Sequence, residues 1–312
     1  MHELILHHYS TSPFAEKARL MLGFKQLSWR SVTIPRVMPK PDLTALTGGY
    51  RRTPVLQVGA DIYCDTALIA RRLDAEKATP ALLPEGHEFN ASILAQWADS
   101  VLFMHAASLV FQPESIAQRL AQAPQEMAQA FIADRTQLFS NGSASRVPAE
   151  QAKSQWPLLM ARLQQQLARE NGEFLLGAAP CVADFAVAHC LWFLTTGPVT
   201  APLVEDYPEI VAWLGKVLGV GHGSPHELDA LEAIAMARAA EPAALPDEEF
   251  AEPNGFQCGQ QVTIRAVDYG GDPIAGELLF AGREELILRR EDERAGVVHV
   301  HFPRFGYRID AV

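Results

Sequence analysis

The spacing of hydrophobic residues changes twice along this chain of 312 residues. Residues 1–80 mix short alternating runs with helical segments, residues 87–240 keep a helical spacing, and residues 254–312 alternate with a period of two. Helices repeat about every 3.6 residues and strands about every two. The sequence therefore predicts an α/β domain, an all-helical domain and a small all-β module, which we expect to form a β-barrel-like appendage.

The first of these domains is predicted in the order β-α-β-loop-β-β-α. Residues 3–9 and 29–34 have the pattern of strands, with an amphipathic helix over residues 13–24 between them. Two short apolar runs on either side of Gly59 predict a hairpin, and residues 65–76 predict a second helix. This layout is that of a thioredoxin-like fold.

Charge and composition argue against several classes of protein. A formal net charge of −11 does not suit a nucleic-acid-binding surface or docking on anionic lipid. The N-terminus has no basic region before a long apolar run, and no stretch approaches about 18 uninterrupted apolar residues. We therefore expect neither a signal peptide nor a membrane span. The four cysteines are far apart, which favours a reducing cytoplasm over a disulfide framework.

Three short motifs occur in a recognisable order and spacing. They are residues 12–15 (SPFA), 53–56 (TPVL) and 65–69 (DTALI). With these motifs the chain resembles the cytosolic glutathione S-transferases, and its opening motif is similar to that of their serine- and cysteine-type branches (the tau- and omega-like classes). The resemblance covers residues 3–235. It implies a thioredoxin-like domain followed by a helical bundle, glutathione as co-substrate, and a homodimer.

Ser12 is the catalytic candidate that the resemblance implies. The thiol of glutathione has a pKa near ~8.5, and lowering it by about two units requires a preference of roughly 2.7 kcal/mol for the anion. A hydroxyl hydrogen bond to a charged acceptor contributes about 1.5–3 kcal/mol, and a helix N-terminus about 0.3–1 kcal/mol. One hydroxyl before Pro13 is therefore sufficient, although this pair is also typical of a plain helix cap. Tyr9 and Ser10 remain alternative donors.

The other two motifs are implied to bind the rest of glutathione. Pro54, in the cis form that the family uses, would turn the backbone of Val55 toward the cysteinyl part of the tripeptide. Asp65 and Thr66 start a helix whose free N–H groups suit the γ-glutamyl carboxylate, and Asp65 could accept from the γ-glutamyl amine. Lys40, with two nearby arginines, is a candidate for the glycine carboxylate. The alternatives are a trans proline, a plain N-cap and solvated cations.

The second substrate is expected between the domains, against the first long helix of the bundle. Phe14 from the first domain, with Trp97, Met104 and His105 from that helix, is predicted to line a partly open apolar pocket. Such a lining favours a bulky, hydrophobic electrophile as the small-molecule partner.

These observations predict a cytoplasmic glutathione transferase of the detoxification type, with no nucleic-acid or membrane partner. The thiolate of the bound glutathione could attack an electrophilic carbon or reduce a peroxide. The alternative is a non-catalytic, transferase-like binding or scaffolding protein that uses its β module for interaction. No metal is expected, because His299 and His301 alternate on one strand without a nearby ligand set, which favours exposed strand histidines.

Overall fold

The computed structural model describes residues 2–144 and 147–312, and the strands of these residues form one sheet. The strands are β1 (Leu4–His8), β2 (Ser28–Thr33), β3 (Val55–Val58), β4 (Asp61–Cys64), β5 (Ser224–Glu227), β6 (Gln261–Ala266), β7 (Ile274–Ala281), β8 (Glu285–Asp292), β9 (Gly296–Pro303) and β10 (Tyr307–Ala311). Their order in the sheet is β10-β6-β7-β8-β9-β4-β3-β1-β2-β5. The segment β4-β3-β1-β2 is the sheet of the predicted thioredoxin-like domain.

Helices form most of the remaining structure. They are α1 (Pro13–Phe24), α2 (Pro41–Thr47), α3 (Thr66–Glu76), α4 (Glu88–Trp97), α5 (Phe103–Val110), α6 (Pro113–Arg119), α7 (Gln125–Leu138), α8 (Ala149–Arg169), α9 (Val182–Thr195), α10 (Pro202–Glu205), α11 (Pro208–Leu218) and α12 (Ala230–Ala239). A π-helical turn over Ala98–Leu102 joins α4 to α5. The all-helical domain is confirmed as far as α11, whereas β5 pairs with β2 at the sheet edge and α12 packs against α2 and β9 instead of the helical bundle.

The first domain folds as its local sequence predicts. β1 pairs in parallel with β2 and antiparallel with β3, and β3 forms a hairpin with β4. Gly59 takes a φ of 62° in the hairpin turn, a conformation that glycine adopts without steric cost. Helix α1 begins at Pro13 with Ser12 as its N-cap, and it packs against α3 and α9. This packing brings the N-terminus of α1 next to the helical domain.

The last five strands extend the sheet of the first domain. β9 pairs in parallel with β4, with Ile62 opposite Val300, and β6, β7, β8 and β10 continue outward by antiparallel pairing. The small all-β module is therefore confirmed, but it is not the separate β-barrel-like appendage that its alternation suggested. The physical reason is that β4 would otherwise be an edge strand with unpaired backbone groups, which β9 satisfies.

Two hydrophobic cores lie on opposite faces of this sheet. Leu4 and Leu6 of β1 join the core of the helical domain, whereas Ile5 joins the core formed with α2, α12 and the C-terminal strands. Of the described helices, Glu88–Val110 is long and apolar enough to cross a membrane, but 56% of its most apolar window is buried within the protein. Its apolar residues thus make the contacts of a core helix.

Candidate active site

A cavity of about 260 Å³ opens between the N-terminus of α1 and the helical domain. The first domain contributes Tyr9, Ser12, Phe14 and Thr53, and the loop after β6 contributes Tyr269. The helical domain contributes aromatic rings, namely Phe103, Phe111, Phe131, Phe139 and Phe193. The cavity thus unites the first motif, the residue before Pro54 and an apolar wall, which is an arrangement suited to two substrates meeting between domains.

Ser12 is both a helix cap and a cavity residue. Its Oγ accepts a hydrogen bond from the backbone N–H of Ala15 at 3.2 Å, and the residue is 3% exposed. A hydroxyl that accepts from the backbone still has its own proton to donate. The two interpretations of Ser12 are therefore compatible, because the cap fixes the oxygen and the O–H can point to a ligand.

The two alternative hydroxyl donors are placed differently. Tyr9 lines the cavity, and the Nζ of Lys40 lies 5.8 Å from the centroid of its ring. Ser10 is exposed, its carbonyl oxygen accepts from Arg19 at 2.9 Å, and it is not part of the cavity lining in the described structure. Tyr9 therefore shares the cavity with Ser12, and Ser10 does not.

The second motif lies at the edge of the same cavity. The Thr53–Pro54 peptide bond is cis, and Val55 begins β3 with a buried side chain. Lys40 reaches this point, since its Nζ donates to the Oγ1 of Thr53 at 3.0 Å. Burial lowers the pKa of Lys40 to about 8, and the charge of Arg135 contributes to the shift. Lys40 is thus a buried cation beside the cavity and suits a carboxylate ligand.

The third motif is engaged by side chains of the protein itself. One carboxylate oxygen of Asp65 caps α3, and the other accepts from the hydroxyl of Tyr307 at 3.1 Å and lies 3.8 Å from Nη1 of Arg52. The buried Oγ1 of Thr66 accepts from the Nζ of Lys17 at 3.2 Å. The side chains predicted to hold the γ-glutamyl end therefore already have partners, one of which comes from β10.

The loop after β6 completes this part of the site. Arg52 donates to a carboxylate oxygen of Asp268 and to the carbonyl oxygen of Tyr269, and its guanidinium carbon lies 4.2 Å from the centroid of the Tyr269 ring. A space of about 30 Å³ is bordered by Arg52, Asp65 and Tyr269. Tyr269 was not predicted, because this loop lies beyond the part of the chain that the three motifs cover.

Comparison with known proteins agrees with this architecture. Residues 6–81 match the family model for the glutathione S-transferase N-terminal domain, and residues 136–219 match that for the C-terminal domain. A GST-like protein from Pseudomonas syringae, known from a crystal structure at 2.4 Å, is 59% identical over 100% of both chains, with a TM-score of 0.84. This chain belongs to the glutathione S-transferase family.

Two more distant structures share the glutathione S-transferase fold. Glutathione S-transferase III in its apo form is 21% identical, with 69% of this chain and 91% of that chain covered and a TM-score of 0.51. FzlA from C. crescentus is 22% identical, with 69% and 87% covered and a TM-score of 0.51. At this identity the likeness concerns the fold alone. No curated protein sequence matches the chain.

The cavity contains only part of the lining that was predicted for a second-substrate pocket. Phe14 lies in the cavity as expected. Met104 borders a separate cavity of about 100 Å³, and Trp97 packs against the core. The His105 ring bonds to the carbonyl oxygen of Val101 and to the Gln155 side chain, each at 2.8 Å. His105 is thus a buried link between α5 and α8.

The π-helical turn explains why other residues of the same helix line the cavity. Phe103, Val110 and Phe111 line the cavity. The predicted residues, Trp97, Met104 and His105, share one face only if the helix is a regular α-helix from Trp97 onward. A π-helical turn adds a residue to one turn and so rotates everything after it relative to an α-helix. The turn Ala98–Leu102 lies between Trp97 and these three residues, and its position could not be read from the hydrophobic pattern.

A buried ion network lies behind Phe14 and was not predicted. The Nζ of Lys17 lies 2.5 Å from Oδ2 of Asp99, and Oδ1 of Asp99 accepts from Nε2 of His189 at 2.9 Å. The rings of Phe14 and His189 have centroids 4.7 Å apart. Burial raises the pKa of Asp99, but the Lys17 charge and the His189 hydrogen bond outweigh it and hold that pKa below its ordinary value. The network joins α1 to α9 beneath the cavity.

The two histidines of β9 are not the exposed strand residues that the sequence favoured. His301 is buried, with Nε2 3.0 Å from Oδ1 of Asp61 and Nδ1 2.5 Å from Oε1 of Glu285. Nδ1 of the half-buried His299 lies 3.8 Å from the same Asp61 oxygen. Burial opposes protonation of His301, but its two carboxylate partners raise its pKa. The pairing of β9 with β4 thus creates an ion pair inside the sheet.

Proposed function

We propose that this protein is a glutathione transferase in which the Ser12 hydroxyl stabilises the thiolate of bound glutathione. The observation that carries the proposal is that the Ser12 oxygen caps α1 while the residue lines the cavity between the domains. A thiolate in this cavity would meet both the O–H of Ser12 and the positive end of α1. Together these contribute roughly 2–4 kcal/mol, which covers the roughly 2.7 kcal/mol that a shift of about two pKa units requires.

In the proposed reaction the sulfur of glutathione gives an electron pair to an electrophilic carbon. A C–S bond forms, the bond from carbon to the leaving group breaks, and the leaving group departs with that bond's electrons. The thiol proton goes to solvent, and Ser12 keeps its own proton because it donates a hydrogen bond without attacking. The aromatic wall of the cavity supports a hydrophobic electrophile. A cytoplasmic detoxification role is part of this proposal.

Glutathione is proposed to extend from Lys40 toward the start of α3. Lys40 binds the glycine carboxylate, and the backbone of Val55, after cis Pro54, pairs with the cysteinyl part. Arg52 faces the γ-glutamyl carboxylate and Asp65 the γ-glutamyl amine, since each carries the opposite charge. Because members of the family often dimerise, we also propose a homodimer.

The test measures the thiolate itself. The ultraviolet absorbance of the thiolate is titrated against pH in the glutathione complexes of the native protein and of Ser12→Ala. We expect a thiol pKa about two units below ~8.5 in the native complex and a rise of at least about one unit in Ser12→Ala. Turnover of chlorodinitrobenzene should fall roughly 10- to 100-fold. Circular dichroism checks folding, because loss of the cap costs about 1 kcal/mol.

Ser10→Ala is the matched control, because it removes an exposed hydroxyl two residues away. It should leave both the thiol pKa and the turnover unchanged. An unchanged thiol pKa in Ser12→Ala would move the role to Tyr9. A native protein that binds glutathione but turns over no electrophile and no peroxide would instead support the non-catalytic alternative.

A further inference from the structure

The cavity between the domains is more cationic than a neutral electrophile requires. Its described lining residues include no aspartate or glutamate but six cations, namely Arg36, Lys40, Arg51, Arg52, Arg119 and Arg135. The whole chain has the opposite sign, with a formal net charge of −11. Charges of one sign in a cleft with low-dielectric walls concentrate ligands of the other sign.

Three of these cations have acidic partners nearby. Arg51 and Arg135 lie 2.8 and 2.5 Å from oxygens of Asp134. Arg52 pairs with Asp268 beside the third motif. Arg51 also lies 3.9 Å from an oxygen of Asp272, so Arg51 and Arg135 face two carboxylates of the protein, and Arg52 is assigned above to the γ-glutamyl carboxylate.

The other three cations form no ion pair with an acidic residue of the described structure. Lys40 is assigned above to the glycine carboxylate of glutathione. Arg36 is exposed, with its guanidinium carbon 5.0 Å from the centroid of the Phe131 ring, so water solvates its charge. Arg119 is partly buried on the helical side of the cavity, and burial lowers its pKa. Arg119 is thus the partly buried cation that the proposed position of glutathione leaves unused.

Arg119 is held in place by neutral acceptors. Its Nη1 donates to Thr196 Oγ1 at 2.8 Å, its Nη2 to the Phe193 carbonyl oxygen at 3.0 Å and to Thr200 Oγ1 at 3.2 Å, and its Nε to Ser115 Oγ at 3.3 Å. A guanidinium has five N–H donors, so one on Nη1 remains. The C-terminal end of α9 supplies about half a negative charge at most, which leaves net positive charge at this wall.

One aromatic ring contacts this cation, and others line the same cavity. The guanidinium carbon of Arg119 lies 5.3 Å from the centroid of the Phe193 ring, and Phe111 and Phe139 line the same cavity. We propose that the second substrate is an aromatic electrophile that carries a carboxylate or a similar anionic group, with Arg119 binding the anion and the rings holding the apolar body. This proposal rests on the proposed glutathione transfer, since it names the class of molecule that the thiolate attacks.

The test compares two electrophiles of similar shape, of which one carries a negative charge and the other is neutral. Chlorodinitrobenzoate, with its carboxylate para to chlorine, is paired with the corresponding chlorodinitrobenzamide, and each enzymatic kcat/KM is divided by the rate constant for free glutathione thiolate. In both reactions the thiolate forms the C–S bond and chloride leaves with the C–Cl electrons. We expect the native protein to prefer the benzoate by roughly tenfold or more, mainly through a lower KM.

Three variants locate the origin of that preference. Arg119→Gln should lose it, Arg119→Lys should retain part of it, and both should still turn over the benzamide, which shows that they fold. Arg162→Gln, which removes an exposed arginine of α8 outside the cavity lining, should keep the full preference. Equal use of the two electrophiles by the native protein, or a preference that survives in Arg119→Gln, would overturn the proposal.

Binding of dinitrobenzoate, which lacks the chlorine and cannot react, separates this proposal from the proposed function. Calorimetric titration should show binding that weakens roughly tenfold or more in Arg119→Gln and is unchanged in Arg162→Gln. If neither electrophile is turned over but this pattern holds, glutathione transfer is wrong and the anion site stands. If both electrophiles are turned over and dinitrobenzoate binds Arg119→Gln as well as the native protein, the anion site is wrong and glutathione transfer stands.

Discussion

Replacing Asp61 by asparagine tests the junction that joins the C-terminal strands to the first domain. The pairing of β4 with β9 spans three residue pairs, from Asp61 opposite His299 to Tyr63 opposite His301. One oxygen of the buried Asp61 accepts from His301 at 3.0 Å, and the other accepts from the backbone N–H of Ala243 at 2.9 Å. With so short a pairing, these side-chain contacts should contribute much of the stability of the junction.

The size of the effect follows from these two hydrogen bonds. Asp61→Asn keeps the volume but removes the charge, so the bond from His301 falls from about 1.5–3 to about 0.5–1.5 kcal/mol. The amide N–H₂ must also face one of the two existing donors, and a buried donor left unpaired costs about 1–3 kcal/mol. After partial relaxation we expect a loss of about 2–3 kcal/mol. This corresponds to a roughly 30- to 160-fold larger opening constant.

Hydrogen exchange of the β9 amides measures this opening without requiring global unfolding. The matched control is Asp42→Asn, because Asp42 pairs with Arg294 of the same module at 2.6 Å but both side chains are about 41–42% exposed. An exposed pair contributes at most about 1 kcal/mol, so this variant should exchange within roughly fivefold of the native protein. Equal β9 exchange in the two variants would refute the reasoning, as would an Asp61→Asn effect spread evenly over β1 and β9.

Two further predictions concern pH. The carboxylate partners of His301 outweigh burial and raise its pKa above 6.5. The contribution of His301 to the stability of the junction is therefore complete below pH 6.5 and is lost as pH rises through the raised pKa. Asp61 has a pKa below 3.8, so its contribution is lost only as pH falls through that lower pKa. The opening constant of the β9 amides, corrected for intrinsic exchange, should therefore rise above pH 6.5 and rise less in Asp61→Asn, and a flat native profile would contradict this. Burial lowers the pKa of Lys40 to about 8, so Lys40 should lose its charge above that pH. As pH rises, the affinity of the native protein for S-methylglutathione, measured by calorimetry, should therefore fall more steeply than that of Lys40→Arg, which keeps its charge. Identical pH profiles for those two proteins would exclude Lys40 from the site.

The local elements of the first domain followed from the sequence because their signals lie within a few residues. Ser12 and Pro13 start α1, and Asp65 starts α3, as their residue types predict. The partners of Asp65 did not follow, because Tyr307 lies 242 residues away and reaches Asp65 only through the pairing of β9 with β4. An alternating strand pattern shows that a strand has a buried face but not which edge it joins.

The same limit applies to the buried charges near the cavity. An isolated amphipathic helix would place Lys17 in solvent, but in this protein Lys17 is fully buried against Asp99. Helical periodicity assigns charged residues to solvent and cannot identify a partner on another helix. Asp99 itself lies in the π-helical turn, where the spacing departs from the period that the prediction used.

The position of the C-terminal strands changes how the third motif should be understood. The carboxylate of Asp65 contacts Tyr307 of β10 and lies close to Arg52. Arg52 lies 3.8 Å from Asp65, so its positive charge offsets part of the attraction of Asp65 for the γ-glutamyl ammonium. The same charge attracts the γ-glutamyl carboxylate, which Asp65 alone would repel. The module contributes to this site through Tyr307, which donates to Asp65, and through Asp268, which pairs with Arg52. The pairing of β9 with β4 holds the module against the first domain and so positions Tyr307 beside Asp65. The stability of this junction and the structure of the site are therefore linked.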